Sequence, residues 1–495
     1  MFLSAAWSFV STSEYQLYFL AALVFGTWLL SWRLWRFTVR PFLRPQDPIE
    51  LPYWIPFLGH SLSFFQNSDS LIERGLDHTG RTHEPFALQI LSNFGFTGKA
   101  LKLAWHIPIP GDKCYMHKNP VNPKQLSLVK LIEEVYIAQL LPGVHMTEMS
   151  EKFIVSLKDS LQPPKMDFCT LSRNGLSRRV SLKALCRSTL VEAATFSMFD
   201  KALHCLNPNI VENMLDFNDS AWMVFFGLPE IFSRKVANAR KTMQKTMARF
   251  ARLPESERIG QAWGIGTILK AQEIVGIDIE SRACMLLLIH WAANSNEYNI
   301  SFWLIAHLVY NVSLMERVRD ELEAGWKDGD LDIKYLCANS PNLDGAFQES
   351  LRLNGGAMMS RQVKQPTMIG DKLLQPGSNV LMPSRQLHMN ESVWGQDYKN
   401  FDAERFVKDK GLLKHSSYRP FGGGISYCPG RVMAKEQVYA FVAIIFRRFN
   451  VKLAPGINGK FPILDESTPS LGITGPVKSM DVFMDMTERE KFNQY

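Results

Sequence analysis

The chain's seven cysteines, at 114, 169, 186, 205, 284, 337 and 428, form no CxxC pair and no spacing suited to zinc, so a zinc-ribbon or thioredoxin-like reading is excluded. There is no GxGxxG fingerprint, and hence no sign of a dinucleotide site of the chain's own. Basic residues form no stripe interleaved with aromatics, which leaves no track for a phosphate backbone and argues against a nucleic-acid partner. No internal repeat and no low-complexity block divides the sequence. What is present is ordinary globular composition: 495 residues, 46% hydrophobic and 21% charged, with a formal charge of +7.

Charge is missing altogether from Tyr15 to Trp32, an 18-residue run that would span roughly 27 Å as a helix, enough to cross a bilayer. Glu14 is the only charged side chain before it, whereas Arg33, Arg36, Arg40 and Arg44 follow directly. That asymmetry predicts a membrane anchor with the rest of the chain on the cytosolic side. A cleaved secretory signal would carry its positive charge ahead of the apolar run and a small-residue site behind it, and neither is present. The reading is residues 1–36 as anchor, with its helix at about 15–32, residues 37–60 as a proline-rich hinge, and residues 61–495 as one large catalytic domain. Pro41, Pro45, Pro48, Pro52 and Pro56 make the hinge stiff and are expected to stop the helix.

Within the large domain, helical spacing dominates. The clearest runs are Ile132 to Leu141, Met149 to Leu161, Ser181 to Leu203, Ala283 to Tyr310 and Ala434 to Phe449. Alternation around Gly370-Asp371 and Pro376-Gly377 predicts a small antiparallel sheet over Gln362 to Val380, and a second hairpin is expected over Ile463 to Met486. The predicted fold class is mainly α with a minor β portion, as one domain with one N-terminal transmembrane helix.

The chemistry concentrates in Pro420-Phe421-Gly422-Gly423-Gly424-Ile425-Ser426-Tyr427-Cys428-Pro429-Gly430-Arg431. Three glycines let the backbone bend close to a flat ligand, and Cys428 falls just before a helical run, whose N-terminus favours a thiolate. Pro429 has no N–H to offer the sulfur. Alone, this could equally be a glycine-rich turn with an incidental cysteine before a core helix.

Two further stretches change the balance. Glu349 and Arg352 stand three apart, on one helix face, where a bidentate pair could form. Ala403-Glu404-Arg405-Phe406 lies between them and the cysteine loop. In that order, Glu349-Ser350-Leu351-Arg352, Arg405 and the Phe421, Gly424, Cys428, Gly430 spacing resemble the ExxR pair, PERF box and haem-binding signature of the cytochrome P-450 superfamily. Trp54 to His60, Trp291-Ala292 with Phe302-Trp303, and Leu464-Asp465 with Leu471-Gly472-Ile473 are similar to landmarks of its branch containing bile-acid sterol hydroxylases and prostacyclin synthase.

The resemblance implies haem with Cys428 as axial ligand, and Phe421, Gly424 and Gly430 shaping the loop. It further implies Glu349, Arg352 and Arg405 as a structural ion-pair group and Arg361 as a haem-propionate contact. Electrons would come from NADPH through a flavoprotein reductase, and the partners would be that reductase, membrane lipid and a hydrophobic small molecule. The implied activity is oxygen insertion from dioxygen into a sterol, terpenoid or related lipid, in lipid or secondary-metabolite biosynthesis at the endoplasmic reticulum.

Two departures qualify this. Where the family carries an acid followed by threonine to deliver protons, this chain has Ser295 and Asn296, with Glu297 the nearest carboxylate, so Asn296 and Glu297 are the candidate catalytic residues. They could instead cap or solvate a helix kink. The tryptophan four residues before a propionate-gripping arginine has its only match at Trp32 and Arg36, beside the anchor. Asparagine at the threonine position also fits a haem-thiolate isomerase or dehydratase resembling prostacyclin synthase. A non-catalytic haem-binding membrane protein is the third reading.

Overall fold

The computed structural model describes residues 13–47, 50, 52–53, 87–109, 121–363, 365–424 and 427–489. The Trp54 to His60 landmark, Pro48, Pro56 and Cys114 lie outside them. Contacts divide the chain into two units, one of residues 1–86 with 360–382 and the other of residues 87–359 with 383–495.

In the first unit, helix α1 spans Ser13–Leu34 and runs into a π-helical turn, Trp35–Val39, and a last turn, Arg40–Leu43. Tyr18–Leu43 is long and apolar enough to cross a membrane, and its residues are not buried by the protein. The proline at 41 therefore does not stop the helix where expected. It sits in the first turn of its segment, where a missing N–H is tolerated, just after a wide turn in which the Arg40 N–H reaches the Trp35 carbonyl. The arginines after the apolar run are partly neutralised: Arg36 meets Glu50 at 2.7 Å, and Arg40 meets Asp47 at 3.3 Å. The same unit holds β4 (Thr367–Ile369) and β5 (Lys372–Leu374), an antiparallel pair turning at Gly370, whose φ of 59° suits glycine. Leu373 N–H donates to the Gln46 carbonyl at 3.1 Å, tying that hairpin to the chain after the anchor. Strands β3 (Met358–Gln362) and β6 (Asn379–Pro383), most of whose residues belong to this unit, pair with each other.

The second unit is mostly helical. Its principal helices are α2 (Leu128–Leu140), α3 (Val144–Ser160), α4 (Leu182–Leu206), α5 (Arg234–Arg252), α6 (Ile279–Asn294), α7 (Glu297–Tyr310), α8 (Pro341–Asn354) and α9 (Arg431–Arg448). Helix α7 is apolar over most of its surface and α9 is buried all round from Glu436 to Phe446, and α7 packs against α4, α8 and α9. The run predicted as continuous from Ala283 to Tyr310 breaks at Ser295-Asn296, although both residues keep right-handed helical backbone.

A four-stranded sheet in the order β1 (Thr170–Asn174), β2 (Ser177–Ser181), β8 (Phe483–Glu488), β7 (Phe449–Leu453) closes one side. The hairpin expected over Ile463 to Met486 is not formed as one. Residues 463–477 close on themselves, with Asp465 N–H on the Gly475 carbonyl and Val477 N–H on that of Ile463, while Phe483–Glu488 joins β2 and β7. A sequence window cannot show that β8's partners lie some thirty and three hundred residues upstream (483 − 453 and 483 − 181).

Candidate functional site

Glu349 and Arg352 are fully buried on α8 and bond as a fork, Nε to Oε2 at 2.8 Å and Nη2 to Oε1 at 2.6 Å. The remaining donors of Arg352 are used as well: Nη1 gives to the carbonyls of His388 and Tyr398 at 2.9 and 2.7 Å, and the guanidinium stacks 5.1 Å over Trp394. Arg405 reaches Glu349 Oε1 at 3.4 Å and donates to the Trp394 carbonyl and to Asp397. The structure thus brings Glu349, Arg352 and Arg405 into one buried network.

That network leads to the cysteine loop. His388 Nε2 accepts the Arg419 N–H at 2.9 Å, and Tyr418 donates its hydroxyl to Gln348 Oε1 at 2.7 Å, so the residues entering the loop are anchored on α8 and its partners. Gly422 and Gly424 take φ of 76° and 65°, left-handed conformations that a side chain would strain. The Cys428 N–H donates to the Phe421 carbonyl at 3.0 Å and closes the loop, and Phe421 packs on the core. Ile425 and Ser426 lie outside the described residues.

Cys428 is half-buried just ahead of α9. Its sulfur receives the backbone N–H groups of Gly430 and Arg431, and the Arg431 guanidinium, stacked on Tyr427 at 4.4 Å, donates to the Cys428 carbonyl at 2.9 Å. The N–H groups of the helix start do lower the thiol pKa, as expected, but they do not act alone. Burial outweighs these N–H groups and the guanidinium and pushes the thiol up. The other described cysteines with shifted thiols go further: Cys169 and Cys337 rise to about 12 and Cys284 to about 11. Pro429 itself has no N–H to give, and the next two residues supply the donors. A soft sulfur with two N–H donors, on a glycine loop where a Cβ at Gly430 would stand 3.8 Å from Sγ, is suited to hold haem iron.

Arg361 belongs to the first unit, half-buried on β3. Met358 and Met359 begin the same strand.

The second constellation lies along α6 and α7. Asn296 accepts the Ile473 N–H on Oδ1 at 2.7 Å and donates to Ser295 Oγ at 2.9 Å. Asn299 donates to the Ile473 carbonyl at 3.0 Å and Trp303 to that of Thr474 at 2.8 Å. These residues share one face of α7 and hold the 472–475 strap like a zip. A Cβ at Gly472 would collide with the Asn296 amide, so the close approach requires glycine there. The Trp291, Phe302-Trp303 and Leu471-Gly472-Ile473 landmarks are therefore neighbours in space.

Between the strap, α7 and α4 lies a cavity of about 350 Å³, whose lining includes Trp222, Trp291, Asn296, Tyr298 and Phe302. This is within the size range of small-molecule sites. Its far side is polar: Arg187 pairs with Asp219 at 2.9 Å and lies over the Tyr298 ring at 5.4 Å. Sequence reasoning missed these polar residues, which lie on three separate segments and share no pattern in the sequence. In the neighbouring segment Ile231 and Phe232 are 66% and 74% exposed, whereas Phe225 and Phe226 are half-buried.

Glu297 points elsewhere. It is 5% exposed, and neither carboxylate oxygen has a partner among the described residues. Burial raises its pKa well above the ordinary value, so the group is neutral.

The family model for Cytochrome P450 matches residues 178–473. The chain is similar to a cytochrome P450 monooxygenase of Gibberella zeae, 33% identical over 34% of this chain and 35% of that one. Longer alignments join it to cytochrome P450 monooxygenase poxD of Penicillium oxalicum, 23% identical over 85% and 90% of the two chains, and to cytochrome P450 7A1 of Oryctolagus cuniculus, 20% identical over 86% and 91%. The chain belongs to the cytochrome P450 family, the haem-thiolate monooxygenases.

Proposed function

We propose that this cytochrome P450 is a membrane-anchored monooxygenase that inserts one oxygen atom of dioxygen into a sterol, terpenoid or related lipid. The observation carrying this reading is Cys428, held half-buried on a glycine loop that Arg352 and His388 brace from below. Haem held there by Cys428 would supply the oxidising chemistry. The chain's own residues do the rest. Glu349, Arg352 and Arg405 fix the loop, Gly430 and Arg431 moderate the charge on sulfur, and Arg361 serves a propionate. Trp222, Trp291 and Phe302 offer an apolar wall to a lipid. Asn296 and Glu297 flank the break between α6 and α7 and handle protons, and electrons come from NADPH through a flavoprotein reductase. The Tyr18–Leu43 helix would hold the enzyme in the endoplasmic reticulum, catalytic unit to the cytosol, with Ile231 and Phe232 as a secondary contact.

One observation favours the isomerase reading. The Asn296 amide is bonded at both ends, to Ile473 and Ser295, and so is less free to pass protons to dioxygen. Co-expression with a reductase and a panel of sterols and terpenoids decides between them. NADPH-dependent consumption of a lipid with gain of one oxygen is expected, and turnover of a lipid peroxide without NADPH would replace it by the isomerase. The reduced, carbon-monoxide-bound protein should give the red-shifted Soret band of thiolate ligation, and Cys428→Ser should abolish it.

A further inference from the structure

The cavity between α4, α7 and the strap carries two kinds of side chain. Trp222, Trp291 and Phe302 give it apolar lining, and Lys183, Arg187 and Lys478 give it positive charge. Asp219 and Asp465 are the carboxylates that share the lining, so the cations outnumber them. Lys183 and Arg187 stand one helical turn apart on α4, and Lys183 Nζ donates to the Lys478 carbonyl at 3.0 Å, which brings the end of the strap segment to the same place.

The three cations differ in how they are satisfied. Arg187 has Asp219 at 2.9 Å and the Tyr298 ring beneath it. Neither lysine has a carboxylate within ion-pair distance among the described residues, and the bonds of Lys183 Nζ go to neutral carbonyls, those of Lys478 and Met480. The nearby acids are spent on other donors. Asp465 accepts the N–H and hydroxyl of Ser467, and Asp481 accepts the Ser181 hydroxyl and the N–H groups of Lys183 and Val482. Burial lowers the Lys183 pKa, and these carboxylates, acting through space, offset it only in part.

A neutral lipid filling this cavity would strip water from the Lys183 and Lys478 ammonium groups and give nothing back, which is costly. A ligand with an anionic end would replace that water by charge-assisted bonds. We propose that the lipid taken here is an acid, with its carboxylate held by Lys183 and Lys478 and its carbon skeleton laid on Trp222, Trp291 and Phe302. This rests on the reading of the cavity as the substrate site of a monooxygenase. The two lysines are then specificity-determining residues, which select the ionised acid over its ester and orient the skeleton by its charged end.

The test is calorimetric titration of the full-length holoenzyme in nanodiscs of uncharged lipid, with empty discs as the blank. The probes are a diterpene acid, abietic acid, and a steroid acid, 5β-cholanic acid, each against its methyl ester. Partition into the disc is the same for every variant, so changes in the acid-to-ester ratio report the site. At neutral pH, where the carboxyl is ionised, at least one acid should bind about tenfold or more tighter than its ester. Lys183→Gln with Lys478→Gln should bring that acid down to the level of its ester, and Lys183→Arg, which keeps the charge, should retain the preference. Lys478→Gln alone, at an exposed position, should lose part of it, which serves should the double variant fold poorly. No acid bound more tightly than its ester in the wild type, or a full preference surviving in the lysine-to-glutamine variants, would overturn the proposal. An acid held with the expected preference but never oxidised with reductase and NADPH would keep the acid site and overturn the monooxygenase reading.

Discussion

The same helical unit buries two sets of polar groups in opposite ways. Around Glu349 the charges saturate one another: Arg352 and Arg405 converge on one carboxylate, and the remaining guanidinium donors meet carbonyls of His388, Tyr398 and Trp394. Along α6 and α7 the polar groups stay open, with Glu297 bonded to nothing among the described residues. A saturated network is rigid and fixes the backbone, as this one does for the cysteine loop through His388 and Arg419. An open one holds no backbone in place and is expensive to keep, which points to use rather than support.

The sharpest way to break this contrast is to remove one partner of each kind. Glu349→Ala strands Arg352 in the core and should cost about 3–5 kcal/mol in chemical denaturation, with little haem-loaded protein recovered. Arg352→Lys should recover only part of this, because an ammonium cannot reproduce the fork. Normal stability and haem content in Glu349→Ala would make the motif assignment a coincidence.

Acid separates the two regions next. His388, which accepts the Arg419 N–H beside the Glu349 network, and His290 on α6 each leave Nδ1 unbonded among the described residues and are both lowered to about 3 by burial, so each is neutral when folded and protonates near 6.5 when unfolded. The unfolded chain therefore binds more protons below roughly pH 6.5, and stability should fall by about 1.4 kcal/mol per pH unit per histidine as the pH drops from there towards 3. Urea titrations between pH 7 and 5 check this. His290→Gln should flatten the slope at little cost in stability, whereas His388→Gln should flatten it and also weaken the loop, because His388 receives the Arg419 N–H. An unchanged slope in both would show that the rings are hydrated.

How far the sequence disclosed these regions follows from how local each is. Glu349 and Arg352 stand one helical turn apart and the cysteine loop is contiguous, so their resemblance, in order, to the P-450 pattern brought them forward, although neither stretch would have done so alone. The helix run through Ala283 to Tyr310 was legible too, whereas its break was only an alternative reading at Asn296 and Glu297, because Ser295 and Asn296 leave the apolar period intact on both sides. Thr170–Asn174 and Ser177–Ser181 escaped notice because their outer strand is exposed and three arginines interrupt the pattern. The partners of β8, the strap bonded to Asn296, and Thr195 opposite His290 depend on contacts between distant segments, which no window of sequence contains.

The strap gives a smaller effect than either charge or acid. Asn296→Ala loses the bond to the Ile473 N–H and should cost about 1 kcal/mol, while Asn299 and Trp303 still hold residues 473–474. Hydrogen exchange at Ile473 should rise in that variant and not at Thr474, whose N–H is held by the Asn354 carbonyl. Equal protection at Ile473 would return Asn296 to a passive role at the helix break.

The smallest stability change belongs to Glu297, and it carries the comparison furthest. A buried carboxyl without a protein partner contributes no bond to lose, so Glu297→Met, similar in volume and apolar, should leave stability within about 1 kcal/mol of the wild type or raise it. If Glu297 handles protons as proposed, the same change in the reductase-coupled enzyme should lower product formed per NADPH and raise peroxide. Stability and coupling thus move apart at Glu297, whereas at Glu349 they fall together. Denaturation curves and peroxide yields for the two variants measure this directly. A Glu297→Met protein that loses several kcal/mol would mean that the carboxyl has structural partners, and the distinction between a saturated support and an open seam would fail at its most exposed point.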